Sequence, residues 1–138
     1  MFVRSAFALL LICTAAPAFA QAMPTKKSTV TAAMPTPDDR ARQWLVLVDD
    51  KNYAQSWTEA SKTFQERQKT DAWAHDEATE REPLGAVASR DLKSIDLGKA
   101  NVAVIRYDTV FAHKASAVET VTLAYDNGGW SVTGYSVN

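Results

Sequence analysis

The spacing of the apolar residues changes at Pro83, and this constrains the fold more than any other feature of the chain. Upstream of Pro83 they recur at helical spacing. Downstream they alternate, as along one side of a strand. A chain that places its helices first and its strands afterwards lacks the alternating units from which a parallel sheet is built. Its helices must share one face of an antiparallel sheet. The expected architecture is therefore α+β, with three N-terminal helices packed on one face of a curved four-stranded antiparallel sheet.

The helical half has clear punctuation. Thr36-Pro37-Asp38-Asp39 starts a helix: Thr36 caps it, Pro37 suits its first position, and the two acids face its positive end. The spacing of Ala41, Trp44, Leu45 and Val48, widened by Leu47, carries it to about Asp49. A second helix is expected over about Tyr53–Arg67, with Tyr53, Trp57, Ala60 and Phe64 on one side. A third starts at a Thr70 cap and runs through Trp73 to about Glu82, where Pro83 ends it.

The alternating half reads as strands over 84–92, bent at Gly85, then 103–113, 117–126 and 130–137. Asp126-Asn127-Gly128-Gly129 is a hairpin turn with residues that tolerate positive φ. Pairing outward from that turn sets Tyr125 against Trp130, Leu123 against Val132, Val121 against Gly134 and Glu119 against Ser136. That face meets the helices, together with Ile105, Tyr107 and Phe111. The outer face shows Arg106, Asp108, Thr120, Thr122, Ser131 and Thr133, with Val118, Tyr135 and Val137 at one end.

Residues 1–20 read as a secretory signal peptide: a positive start at Arg4, a short apolar core and an Ala18-Phe19-Ala20 finish. Cleavage there leaves residues 21–36, a Pro/Thr/Ala leader containing Ala-Met-Pro-Thr twice, and a single domain over 37–138. Cys13 is the lone cysteine and falls within the signal peptide, behind Ile12, which is too large for a lipidation site. The mature chain then has no disulfide, thiolate metal site or cysteine nucleophile. It keeps 14 basic and 16 acidic residues. With no basic field and no basic stripe, nucleic acid is not an expected partner. The expected location is periplasmic or secreted, with no stable membrane insertion after cleavage.

Trp44-Leu45-x-Leu47-Val48-Asp49 and Tyr53-Ala54-x-Ser56-Trp57-x-x-Ala60-Ser61 stand in the helical half. Arg81-x-Pro83-Leu84-Gly85, Ser89-Arg90, Glu119-Thr120-Val121-Thr122-Leu123 and Gly129-Trp130-x-Val132-x-Gly134-Tyr135 follow. This succession, over about residues 38–138, resembles the bacterial family catalogued as domain of unknown function 4019. The resemblance implies an envelope or secreted protein with a nuclear-transport-factor-two-like (cystatin-like) cone. It implies no activity, cofactor or catalytic residue, and a fold hosting enzymes, carriers and interaction modules leaves function open.

The residues themselves offer little covalent chemistry. His75 and Asp76 are adjacent on a helix, so their side chains diverge, and no HExxH pair, nucleophile elbow or phosphate-binding glycine loop occurs. No metal or cofactor is expected. Glu119 is the one carboxylate that the register sets inside the cone. There it is either a general base, with Arg81 or Arg90 holding an anionic substrate, or the partner of one of those arginines in a structural ion pair. The aromatic residues are read as core, with Trp73, Tyr107 and Trp130 also placed to line a pocket with Arg81, Arg90 and Glu119. The expected function is a non-enzymatic exported module that binds an unidentified protein or small molecule, an inhibitor or immunity protein being one form. The alternative is a small acid–base enzyme of isomerase or dehydratase type. The outer sheet face is a candidate homodimer surface.

Overall fold

A computed structural model describes residues 33–99 and 101–138. The expected signal peptide, Cys13 and most of the leader lie outside the described residues.

Helix α1 spans Pro37–Asp49 and starts as its sequence dictates. The Asp39 N–H donates to Thr36 Oγ1 at 3.1 Å, and the Thr36 N–H donates back to Asp39 Oδ2 at 3.0 Å. Ala41, Trp44, Leu45 and Val48 are buried. The expected second helix is two, α2 over Tyr53–Glu59 and α3 over Lys62–Arg67. Ala60 is extended between them. The Ser61 N–H leaves the helical ladder and donates to the Val132 carbonyl at 2.8 Å, while Ser61 Oγ accepts from the Phe64 N–H at 3.1 Å and caps α3. A strong capping residue and a sheet acceptor thus outcompete helix continuity, yet Tyr53, Ala60 and Phe64 all remain buried. Helix α4 spans Thr70–Arg81. Thr70 is its first residue rather than its cap, a position held by Lys69 without a side-chain bond. The expected end at Glu82 is replaced by a 3₁₀ turn over Glu82–Leu84, whose tighter winding accommodates Pro83.

Strands β1 (Val87–Leu97), β2 (Val102–Phe111), β3 (Lys114–Asp126) and β4 (Gly129–Val137) form one antiparallel sheet in the order β1-β2-β3-β4. Strand β1 begins later than expected, because Leu84 closes the 3₁₀ turn and Gly85 reverses the chain at φ 78°. It also runs five residues past the expected end at Leu92, along β2. The β3–β4 hairpin turns through Asn127 and Gly128, at φ 51° and 82°.

The register departs from expectation at one point that matters. Tyr125 opposes Trp130 and Leu123 opposes Val132, but a bulge follows. Beyond it Thr122 opposes Gly134, Val121 opposes Tyr135 and Glu119 opposes Val137. The one-residue slip turns Tyr135 and Val137 from the expected outer face to the helix side. The pairing of Val121 with Gly134 and of Glu119 with Ser136 is therefore corrected.

The core lies between α1, α2, α4 and the concave side of the sheet. Trp44 is at its centre, with ring centroids 5.9 Å from Trp73, 5.6 Å from Tyr135 and 6.5 Å from Phe64. Indole donors inside it are satisfied: Trp44 Nε1 donates to the Ser56 carbonyl at 2.7 Å and Trp73 Nε1 to Ser56 Oγ at 2.9 Å.

Candidate functional site

Two carboxylates and two guanidiniums converge where α1 and α4 end over the helix side of the sheet, which supplies Arg90 from β1 and Glu119 from β3. Asp49 is the last residue of α1, on the side carrying Ala41 and Leu45. Arg81 is the last residue of α4, one turn after Glu77 and two after Trp73. Arg90 lies opposite Thr109 in the sheet, and Glu119 opposes Tyr107, so both point to the helix side.

Glu119 is fully buried and accepts five hydrogen bonds. Its Oε1 takes Arg81 Nη1 at 2.8 Å, Arg90 Nη2 at 3.1 Å and the Tyr135 hydroxyl at 2.7 Å. Its Oε2 takes Arg90 Nε at 2.6 Å and the Thr109 hydroxyl at 2.6 Å. Asp49 completes the cluster, accepting from Arg81 Nη2 at 2.6 Å and from Arg90 Nη1 and Nη2 at 2.7 and 2.9 Å. Burial alone would raise the Glu119 carboxyl, but the Arg90 guanidinium and the Thr109 and Tyr135 hydroxyls outweigh it and hold the group below the usual carboxylate range. Asp49 is lowered in the same way, by Arg90 and then Arg81 against its own burial. The Tyr135 hydroxyl is pushed up by burial and by the charge of Glu119. Its ring is brought to the cluster by the β4 bulge.

This arrangement is a charge-balanced knot tying both long helices to all four strands. A carboxylate with every lone-pair direction filled by protein donors has none left to abstract a proton from a bound molecule. Of the residues expected at one site, Arg81, Arg90 and Glu119 are together, and Trp73, Tyr107 and Trp130 are elsewhere. Trp73 sits in the aromatic core. The Tyr107 hydroxyl donates to Asp38 Oδ1 at 2.7 Å, with Arg42 stacked 5.0 Å over its ring. Trp130 packs edge-on to Tyr125 near the hairpin, at 5.3 Å. Sequence reading missed Asp49, Thr109 and Tyr135. The first two carried a signal, since Asp49 falls one turn beyond Leu45 and Thr109 lies midway between the inward Tyr107 and Phe111. Among the described residues no group of three or more His, Asp or Glu is arranged to hold a metal.

A surface concavity lies between α3, the start of α4 and the edge strand β4, and shares Tyr135 with the knot. It has a volume of about 550 Å³. Phe64, Trp73 and Tyr135 contribute its apolar wall, Arg67 and Lys69 stand over it, and Ala72 lines it from α4. Arg67 Nη2 donates to the Thr133 carbonyl and Gln68 to Asp76, which fixes two sides of the groove.

A family model described as a protein of unknown function, DUF4019, matches residues 40–135. The chain belongs to that family. The DUF4019 domain is also similar to a Campylobacter jejuni protein whose crystal structure is described as an NTF2-like transpeptidase. Identity is 20%, coverage is 70% of this chain and 96% of that chain, and the TM-score is 0.50. At that identity the likeness bears on the fold alone, and it agrees with helices laid in a curved, open antiparallel sheet, the NTF2-like cone. No curated protein matches the sequence.

Proposed function

We propose that this DUF4019 domain is an exported, non-catalytic binding module of the cell envelope, and that it receives an extended segment of a partner protein in the groove between α3, α4 and β4. One observation carries the reading: Glu119, the carboxylate best placed for acid–base work, is enclosed and saturated by five donors, whereas the groove is a surface concavity of about 550 Å³. The groove suits such an occupant. An apolar side chain fits against Phe64, Trp73 and Tyr135, an acidic one against Arg67 and Lys69, and the run of the groove follows an edge strand. Among the described residues no helix is long and apolar enough to cross a membrane.

A photo-crosslinking amino acid placed at Ala72, on the groove, and in separate cells at Thr122, on the outer sheet face, tests the reading in the native envelope. Adducts from position 72, lost when Lys69→Glu is added, are expected. Adducts from position 122 alone, or none from 72, would overturn the groove as the binding surface. Recovery of the protein only from the cytoplasm would overturn the export reading.

A further inference from the structure

A second buried carboxyl lies one turn from the knot and takes no part in it. Glu77 faces inward from the middle of α4 and is 3% exposed, and among the described residues its Oε1 has no hydrogen-bond partner. Arg81, one turn on along the same side of α4, is a cation that acts on it, but both of its terminal nitrogens are committed to Asp49, Glu119 and Tyr135, and among the described residues its Nε is itself unpartnered. From α2 comes Tyr53, whose buried hydroxyl is also unpartnered. The other charged and titratable groups facing Glu77 are Glu119 on β3 and Tyr135 on β4, with Asp76 and Glu80 on α4 itself. Glu77 thus has acids around it and one arginine whose two terminal nitrogens are committed elsewhere.

We propose that Glu77 is a pH-sensitive latch: protonated, it keeps the corner between α2, α4 and the sheet closed, and ionised, it loosens that corner. An ionised carboxylate enclosed there accepts no hydrogen bond at Oε1, whereas the neutral acid tolerates the apolar surroundings and can itself donate. Burial, with Glu80, Glu119 and Asp76 adding to it against Arg81, pushes the Glu77 carboxyl up to about 8. When the corner opens, water restores the ordinary carboxylate value. The sign follows from linkage. The closed state holds one more proton than the open state between the ordinary value and about pH 8. Opening therefore becomes easier as pH rises through that window, by about tenfold per pH unit, and levels off above it. Trp73, one turn earlier on α4, and Tyr53 on α2 report the motion, and Tyr53 and Arg81 also line a cleft of about 280 Å³ beside it.

The test is amide hydrogen exchange of α2 and α4 in the full chain between pH 5 and 7, corrected for the intrinsic rate, in wild type and Glu77→Gln. The opening constant of the wild-type corner is expected to rise about 100-fold over that range, and that of the variant to stay flat, because the amide cannot ionise. Equal pH dependence in the two proteins, or none in wild type, would overturn the proposal. Should Glu77→Gln not fold, titration of the wild-type Glu77 carboxyl carbon by NMR decides instead. A midpoint in the ordinary carboxylate range would refute the latch, and one near 8 would support it.

Discussion

Glu119→Gln removes one charge from the ion knot and changes almost no volume, so it isolates what the charge contributes. The amide keeps a single carbonyl oxygen for five donors. If its nitrogen takes the Oε1 place, it faces Arg81 Nη1, Arg90 Nη2 and the Tyr135 hydroxyl; in the Oε2 place it faces Arg90 Nε and the Thr109 hydroxyl. Either orientation leaves a guanidinium N–H pointing at another donor in a buried site. Breaking one partner of a buried charge pair costs about 3–5 kcal/mol. In a domain of about 100 residues each kcal/mol lowers Tm by about 4–8 °C, so a fall of roughly 12 °C or more is expected by calorimetry at pH 7. The pH profile gives a second readout. Glu119 is held below the usual carboxylate range, so its stabilising effect is present above that range and is lost as pH falls through the folded-state value. Wild type should therefore lose stability steeply at acid pH, and the variant less steeply, since it has already lost that contribution. A variant melting within about 5 °C of wild type, with the same acid limb, would refute the idea that the charged knot holds helices to sheet.

Other parts of the fold give shorter tests. Gly85→Ala should destabilise by about 1–3 kcal/mol in urea, because it joins a φ of 78° to a Cβ only 3.0 Å from Ala112 Cβ and His113 Nδ1, whereas Gly128→Ala, with nothing within 4 Å, should show the backbone strain alone. Ser61→Ala should cost about 1 kcal/mol by the same measurement and raise exchange of the Phe64 amide, since the cap of α3 is lost. If two copies meet through the outer sheet face, sedimentation equilibrium will give a dimer that Thr122→Asp dissociates. A monomer at high concentration would remove that proposal.

The fold was legible wherever the hydrophobic period was long and a local signal marked the boundary. Thr36-Pro37 and the stripe through Val48 gave α1 its limits, and Asn127-Gly128 gave the hairpin its turn. The α2–α3 break was hidden because Tyr53, Ala60 and Phe64 keep one face across it. What breaks the helix is Val132, an acceptor more than 70 residues away in sequence that takes the Ser61 N–H. The β4 bulge was hidden for a related reason. Thr133-Gly134 reads equally well in either register, and what decides it is the burial of Tyr135 against Trp44 and its bond to Glu119. The site was half legible. Glu119 with Arg81 and Arg90 followed from facing, whereas its saturation depends on Tyr135, which the slip alone brings inside. Tyr107 and Trp130 read as pocket residues because inward-facing aromatics look alike in sequence whether they line a cavity or close one.

Glu77 and Glu119 are the same residue type, both enclosed, and they are driven in opposite directions. Burial acts on both, so it cannot be the difference. What differs is the allotment of guanidinium donors. Arg81 stands one turn from Glu77 but turns Nη2 to Asp49 at 2.6 Å and Nη1 to Glu119 at 2.8 Å. Asp49→Asn tests that allotment, because it removes a carboxylate competing for Arg81 without touching Glu77. Arg81 then carries charge that Glu119, already shared with Arg90, does not fully balance. Glu77 is the next acid it can serve, so its carboxyl should titrate lower, by about one pH unit or more, which is a tenfold change in its ionisation equilibrium. The rise in α4 opening between pH 5 and 7 should shrink accordingly. If the Glu77 midpoint stays near 8 in Asp49→Asn while the fold is retained, competition for Arg81 is not what keeps this carboxyl neutral, and desolvation by α2 and the sheet suffices by itself.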